Sequence, residues 1–211
     1  MPTRITRPEI DAAAKTYGVE PAALRAVCSV ESSGSGFLPK DQQEREKILL
    51  ERHWLWHRLE ARGLDPHPLA SAHPGVCGPD WNPKRYPYGS SRSQWDRIQV
   101  VLDWASHHQP ERFESYKKSC YEACSWGLFQ MMGFHYREAG FVDVYGMKAA
   151  FDKSEAEQLK AILRWMDGSG LLRSLRAKDW GAFTLHYNGA GQVPYYRGRL
   201  ILAFHMESLR K

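Results

Sequence analysis

Apolar positions recur at spacings of three and four along most of the chain, which is the period of a helix with one buried face. Thr6 and Glu9 match a capping box, Pro8 suits an opening turn, and Gly18 follows the end of this first helix. Pro21 suits the start of a second helix running to about Glu31, with Leu24, Val27 and Glu31 on one face. The segment KILLERHWLWHRLE, residues 47–60, supports two readings. Ile48, Leu55 and Leu59 fit a helix, whereas KILLE fits a short strand. From Gly63 to Gly89 the prolines at 66, 68, 74, 79, 83 and 87 predict a loop without regular elements. Trp81, Tyr86 and Tyr88 within it argue that the loop is ordered. Helical patterning resumes at Ser93, where SQWD is a capping box with Asp96 in place of Glu, and Trp95, Ile98, Val101 and Leu102 form the stripe. Pro110 starts another helix, with Phe113, Tyr116, Cys120 and Cys124 along one side. SEAE at 154–157 caps a helix that buries Leu159, Ile162, Leu163 and Met166. Asp179 caps one that passes through Thr184 to about Tyr187, and a last helix begins near Pro194. The sum is a mainly α domain over residues 1–211 with little β structure, no internal repeat and no linker.

Composition narrows the partners more than the fold. A hydrophobic share of 43% and a charged share of 25% are those of an ordinary globular protein with one real core. The net charge of +5 permits an anionic partner. Scattered basic residues and the lack of a recognisable DNA- or RNA-binding motif argue against nucleic acid. The opening MPTRITRPEI has no apolar signal-peptide core, and no apolar run of about 18 residues offers a membrane span. Synthesis in the cytosol is therefore expected, which favours free thiols at Cys28, Cys77, Cys120 and Cys124. Cys28 and Cys120 fall on apolar faces and read as core residues. A zinc site bringing His73 and Cys77 to Cys120 and Cys124 is disfavoured by the irregular spacing and the absence of a CxxC pair. No metal or cofactor is expected.

Three segments carry candidate chemistry. Glu31 sits at the inner edge of an apolar stripe, just before Ser32, Ser33, Gly34, Ser35 and Gly36 open the chain. A carboxyl group between core and loop has its charged form disfavoured, so it can remain protonated near neutral pH and donate a proton. The alternative is a solvated Glu at a frayed helix end. Gln130 is the lone amide of the apolar run SWGLFQMMGF and needs hydrogen-bond partners, either a bound sugar or its own core. In LHYNGAGQVPYY, Asn188-Gly189 signals a helix exit and places Tyr187 and Asn188 there, with Tyr195 and Tyr196 close behind. Glu51 ends KILLE and supplies a second carboxyl group, of the kind that glycoside hydrolysis uses in pairs, or else a salt bridge to Arg52 or a neighbour.

The order of these segments is more informative than any one of them. ESSGSGFL at 31–38, KILLERH at 47–53, SWGLFQMMG at 125–133 and YNG at 187–189 resemble the N-acetylmuramidase domain of bacteriophage endolysins. That family is part of the lysozyme-like superfamily, with goose-type lysozymes and lytic transglycosylases. The resemblance covers about Pro21 to Leu200. It implies a lysozyme-like helical domain with a small β element. It implies Glu31 as general acid on the bond between N-acetylmuramic acid and N-acetylglucosamine in peptidoglycan. It implies Glu51 as the group that steadies the developing charge or activates water, and Ser125, Gln130, Tyr187, Asn188 and Tyr196 as cleft residues holding the sugar. By the same resemblance the protein is a monomeric catalytic domain without a wall-binding module. It is made in the host cytoplasm and reaches the periplasm after a holin opens the membrane. Leu50 stands where the family carries Phe, the connector LPKDQQERE is longer than usual, and Cys120 and Cys124 precede SWG where small residues are expected. Two other readings stay open: a lytic transglycosylase using the same Glu31, and a sugar-binding protein that does no chemistry. The C-terminal LILAFHMESLRK is amphipathic and offers weak contact with anionic outer-membrane lipid, the alternative being packing on its own domain.

Overall fold

The computed structural model describes residues 1–39, 44–82, 84, 90 and 93–210. At its centre lies helix α2 (Pro21–Ser32), in which Ala22, Ala23, Leu24, Ala26, Val27, Cys28 and Val30 are all buried. A helix apolar nearly all round must be enclosed, and α1 (Arg7–Thr16) and α11 (Val193–Leu209) pack against it. Glu207 of α11 is buried and accepts hydrogen bonds from Arg7 Nη1 at 2.8 Å and Arg25 Nε at 3.0 Å, which clamps the last helix to the first two. The outer face of α11 leaves Leu202, Met206 and Leu209 exposed. At its C-terminus α2 stops because Ser33 and Gly34 take left-handed conformations, with φ of 57° and 79°.

Both readings of residues 47–60 hold, in succession. Ile48–Leu50 is strand β1 and Arg52–Glu60 is helix α3, with Glu51 at the junction. β1 pairs antiparallel with β2 (Cys124–Trp126), Leu49 facing Ser125, and β2 pairs with β3 (Met131–Met132), Ser125 facing Met132. Cys124 therefore belongs to a strand, not to the helical side on which periodicity put it. Pro110 opens a single 3-10 turn over Pro110–Arg112 before helix α6 (Phe113–Glu122) begins. All four cysteines are buried free thiols.

The proline-rich stretch does contain a regular element, contrary to the sequence reading. Helix α4 (His67–Ala72) forms there, with Pro68 in its first turn, where a missing N–H costs nothing, and Leu69 fully buried. Tyr86 and Tyr88 lie outside the described residues. Helix α5 (Ser93–His108) follows, burying Trp95, Ile98 and Val101. Helices α7 (Val144–Phe151) and α9 (Leu171–Ala177) have no counterpart in the sequence reading. Both are short, and Gly146 interrupts the first turn of α7, so neither gives a clear period. The caps of α8 (Glu155–Gly168) and α10 (Trp180–Asn188) form where expected. Ser154 Oγ accepts from Glu157 N at 3.2 Å, and Asp179 Oδ1 accepts from Ala182 N at 3.0 Å.

Two buried side chains of α8 organise the loops around the sheet. Glu155 Oε1 accepts from Gly36 N at 2.7 Å and Glu155 Oε2 from Ile5 N at 2.9 Å, which ties down the loop after Glu31. Gln158 Oε1 accepts from Leu128 N at 2.7 Å while its Nε2 donates to Phe151 O at 3.1 Å. The backbone of Gly127 runs so close that a Cβ there would lie 2.5 Å from Gln158 Oε1. This is the close approach that a glycine inside an apolar aromatic segment permits.

Candidate active site

Between the sheet on one side and the ends of α2 and α10 on the other lies a cleft of about 690 Å³. Glu31 enters it from the last turn of α2 and Glu51 from the β1–α3 junction. Ser125 and Gln130 contribute from β2 and the turn after it, Tyr187 and Asn188 from the last turn of α10, and Tyr196 from the start of α11. The structure thus brings all seven sequence-selected residues to one cavity, from segments that are far apart along the chain.

Glu31 is strongly perturbed in that cleft. Burial pushes its carboxyl up to about 7, while Asn188 and the Arg199 guanidinium pull it partly back. Asn188 Nδ2 donates to Glu31 Oε1 at 3.1 Å, a bond that favours the charged form. The Asn188 Oδ1 atom is buried without a partner among the described residues and belongs to a residue on the cavity wall, so it is an acceptor available to a ligand N–H or O–H. Burial also raises Tyr196, to about 12, and the nearby charges of Glu31 and Glu51 add to that shift. Replacing Asn188 with Ala removes a donor that stabilises ionised Glu31. The expected result is a shift of the alkaline limb of activity to higher pH, read from initial rates across pH 5–9; a limb that moves down or stays put contradicts this role for Asn188.

Glu51 is held by its backbone, whose N–H donates to Ala123 O at 3.1 Å. Its Oε2 lies 3.6 Å from His53 Nδ1. Burial, aided by His57 and Arg52, holds His53 down to about 4, so at neutral pH this imidazole is uncharged and the contact is not an ion pair. The Arg52 guanidinium donates to the carbonyl oxygens of Pro74 and Asp80.

Gln130 finds its partners within the chain. Its Nε2 donates to Gly127 O at 2.8 Å and Lys47 O at 3.3 Å, and its Oε1 accepts from Ser125 Oγ at 3.0 Å. The residue adopts φ 48° to do so, in a turn between strands and not in a core helix. Tyr187 is likewise braced: its hydroxyl donates to Phe129 O at 2.6 Å, and its ring stacks on Phe183 with centroids 5.1 Å apart. Ser125, Gln130 and Tyr187 therefore shape the cleft wall as well as lining it.

Several lining residues escaped the sequence reading. Trp54, Phe134, His135 and Trp165 all face the cavity. Trp54 and Phe134 each sit one residue beyond a motif, after KILLERH and SWGLFQMMG, and nothing sets Trp165 apart from the apolar stripe of α8. Trp81, singled out from the sequence as an ordered aromatic of the proline-rich loop, lines the cavity as well and is 49% exposed, as befits a ring at a rim. Among the described residues no group of three potential metal ligands comes together.

Comparison with known proteins follows the same outline. The crystal structure of the Burkholderia AP3 phage endolysin superposes with a TM-score of 0.74 at 34% identity, covering 99% of this chain and 73% of that one. No curated protein matches the sequence. The family model for N-acetylmuramidase matches residues 20–207. That match runs from the residue before α2 almost to the end of α11 and so takes in every wall of the cleft: the chain belongs to the N-acetylmuramidase family, glycoside hydrolases acting on peptidoglycan.

Proposed function

We propose that this protein is a phage endolysin that cleaves the β-1,4 bond between N-acetylmuramic acid and N-acetylglucosamine, with Glu31 as general acid. The observation that carries the proposal is a carboxyl group raised to about 7 by burial yet lining an open cleft that holds a second carboxyl group. In this reading protonated Glu31 gives its proton to the glycosidic oxygen as the bond breaks. Positive charge then develops on the muramyl ring, and Glu51 steadies it or draws a proton from the attacking water. Asn188 Oδ1 and the Tyr196 hydroxyl bind sugar polar groups, while Trp54 and the half-exposed Trp81 offer ring faces to the pyranose.

The described residues share one hydrophobic core running from Ile10 to Leu200, which supports a single catalytic domain. None of the described helices is long and apolar enough to cross a membrane. That agrees with synthesis in the host cytoplasm and holin-dependent release to the periplasm. The exposed Leu202, Met206 and Leu209 on α11 support weak contact with anionic outer-membrane lipid.

Mass spectrometry of the products from purified peptidoglycan tests the reaction. Hydrolysis yields muramyl reducing ends. Anhydromuramyl ends, lighter by one water, would assign the protein to the lytic transglycosylases instead. Retained wall binding with no soluble products would leave a binding protein.

A further inference from the structure

Beside the cleft lies a second recess, of about 390 Å³, lined by Arg58, Arg62, Arg137, Glu122 and Glu138. Phe134 lines both, so the two spaces adjoin. Three guanidinium groups surround the recess, but they are not equivalent. Arg62 Nη2 donates to Glu122 Oε1 at 2.6 Å, and Arg137 Nε donates to Tyr136 Oη at 3.1 Å. The Arg58 side chain makes no hydrogen bond or ion pair among the described residues, and its Nε is buried without a partner. Aromatic rings hold it instead: its Cζ lies 4.9 Å from the centroid of Phe134 and 5.8 Å from that of Trp54. Both rings belong to residues that also line the cleft.

Ring contacts fix the position of a guanidinium but leave its N–H edge unsatisfied. A buried donor of this kind calls for an acceptor, and the acceptor that matches the planar fork of arginine is a carboxylate. Glu122 and Glu138 on the same walls disfavour a polyanion such as a phosphate ester, whereas a singly charged carboxylate meets a net positive recess. Peptidoglycan supplies such groups on the peptide stem of each muramyl residue.

We infer that Arg58 and its recess bind a carboxylate of the peptide stem while the glycan occupies the adjoining cleft, so that this protein reads the stem as well as the sugar. This rests on peptidoglycan being cut in the cleft. Arg58 is a substrate-binding residue in this account and takes no part in bond cleavage.

The test compares wild type and Arg58→Gln on three preparations: native glycan strands, strands whose carboxylates are capped as amides, and strands freed of stems by an amidase. On native strands the variant should lose roughly 10- to 100-fold in kcat/KM. On capped strands that ratio should fall to about one, because the group that Arg58 reads is gone. A ratio that stays high on capped strands, or is absent on native ones, overturns the inference. Because the amidase frees a lactyl carboxylate that native strands hold as an amide, the stem-free strands are capped in turn, and a ratio that persists on them shows that Arg58 acts on the glycan itself, which also overturns the inference. If Arg58→Gln fails to fold, wild type alone decides: it should cut native strands roughly 10-fold faster than capped ones, and equal rates reject the site. Failure of the cleavage reading looks different, since wild type would then release no reducing ends from any preparation.

Discussion

Replacing Glu31 with Gln abolishes clearing of a peptidoglycan suspension, with a fall of roughly 10²- to 10⁴-fold in rate, the usual contribution of a positioned general acid. The amide keeps the shape of the side chain and an oxygen able to accept from Asn188, but it has no proton to transfer. The wild-type enzyme itself should lose activity as pH rises through about 7, as the Glu31 carboxyl group raised by burial gives up its proton. The same substitution should make the protein more stable, and the sign follows from linkage. The folded-state pKa of Glu31, about 7, lies above its ordinary value of 4.5, so the fold favours the protonated form. That contribution is fully present below pH ~4.5 and is lost as pH rises through about 7. At pH 8 the wild type has forfeited on the order of 2–3 kcal/mol that the Gln variant never depended on. Thermal unfolding at pH 5 and pH 8 reads this directly: the variant gains several degrees over wild type at pH 8 and little at pH 5. Clearing that survives the substitution removes Glu31 from the chemistry. Equal melting temperatures at pH 8 would mean that its carboxylate is not desolvated.

The second large effect is expected at Gly127. Its φ of 68° lies in the left-handed region, where a Cβ costs about 1–2 kcal/mol. The added methyl would also lie 2.5 Å from Oε1 and 2.6 Å from Cδ of Gln158. Gln158 cannot swing aside cheaply, because its amide satisfies Leu128 N and Phe151 O in the core. Gly127→Ala should therefore destabilise the protein by about 3–4 kcal/mol, measured by urea unfolding. Activity should fall as well, because the same turn carries Ser125 and Gln130 to the cleft wall. A variant as stable as wild type would show that the turn has room to relax and that the contact with α8 is dispensable.

The parts of the fold that could be read along the chain are those decided within a few residues. Ser154 and Asp179 cap their helices by bonding an N–H three residues ahead, so residue type and spacing suffice. Leu24, Val27 and Val30 lie on a helix whose burial follows from its apolar composition. Short elements were lost. α4 hides among prolines because Pro68 happens to fall in a first turn, and α7 and α9 complete too few turns to show a period. The segment KILLE was undecidable alone. Its three-residue strand exists only because Leu49 finds Ser125, and a strand without its partner carries no distinguishing pattern.

For the cleft the division is sharper. Residue types and their order along the chain determined the family, the two acidic side chains and the glycine-bearing turn, because each is a local requirement of charge, shape or backbone conformation. What those carboxyl groups experience was decided only in three dimensions. Glu31 is desolvated because distant segments close around the end of α2, with the Asn188 amide from 157 residues away completing its surroundings. The unpaired donor of Arg58 beside Phe134 arises in the same way, from segments that meet only in the folded chain. Desolvation is a property of everything packed around a group, so it is absent from any window of sequence and appears only once distant segments have excluded the water.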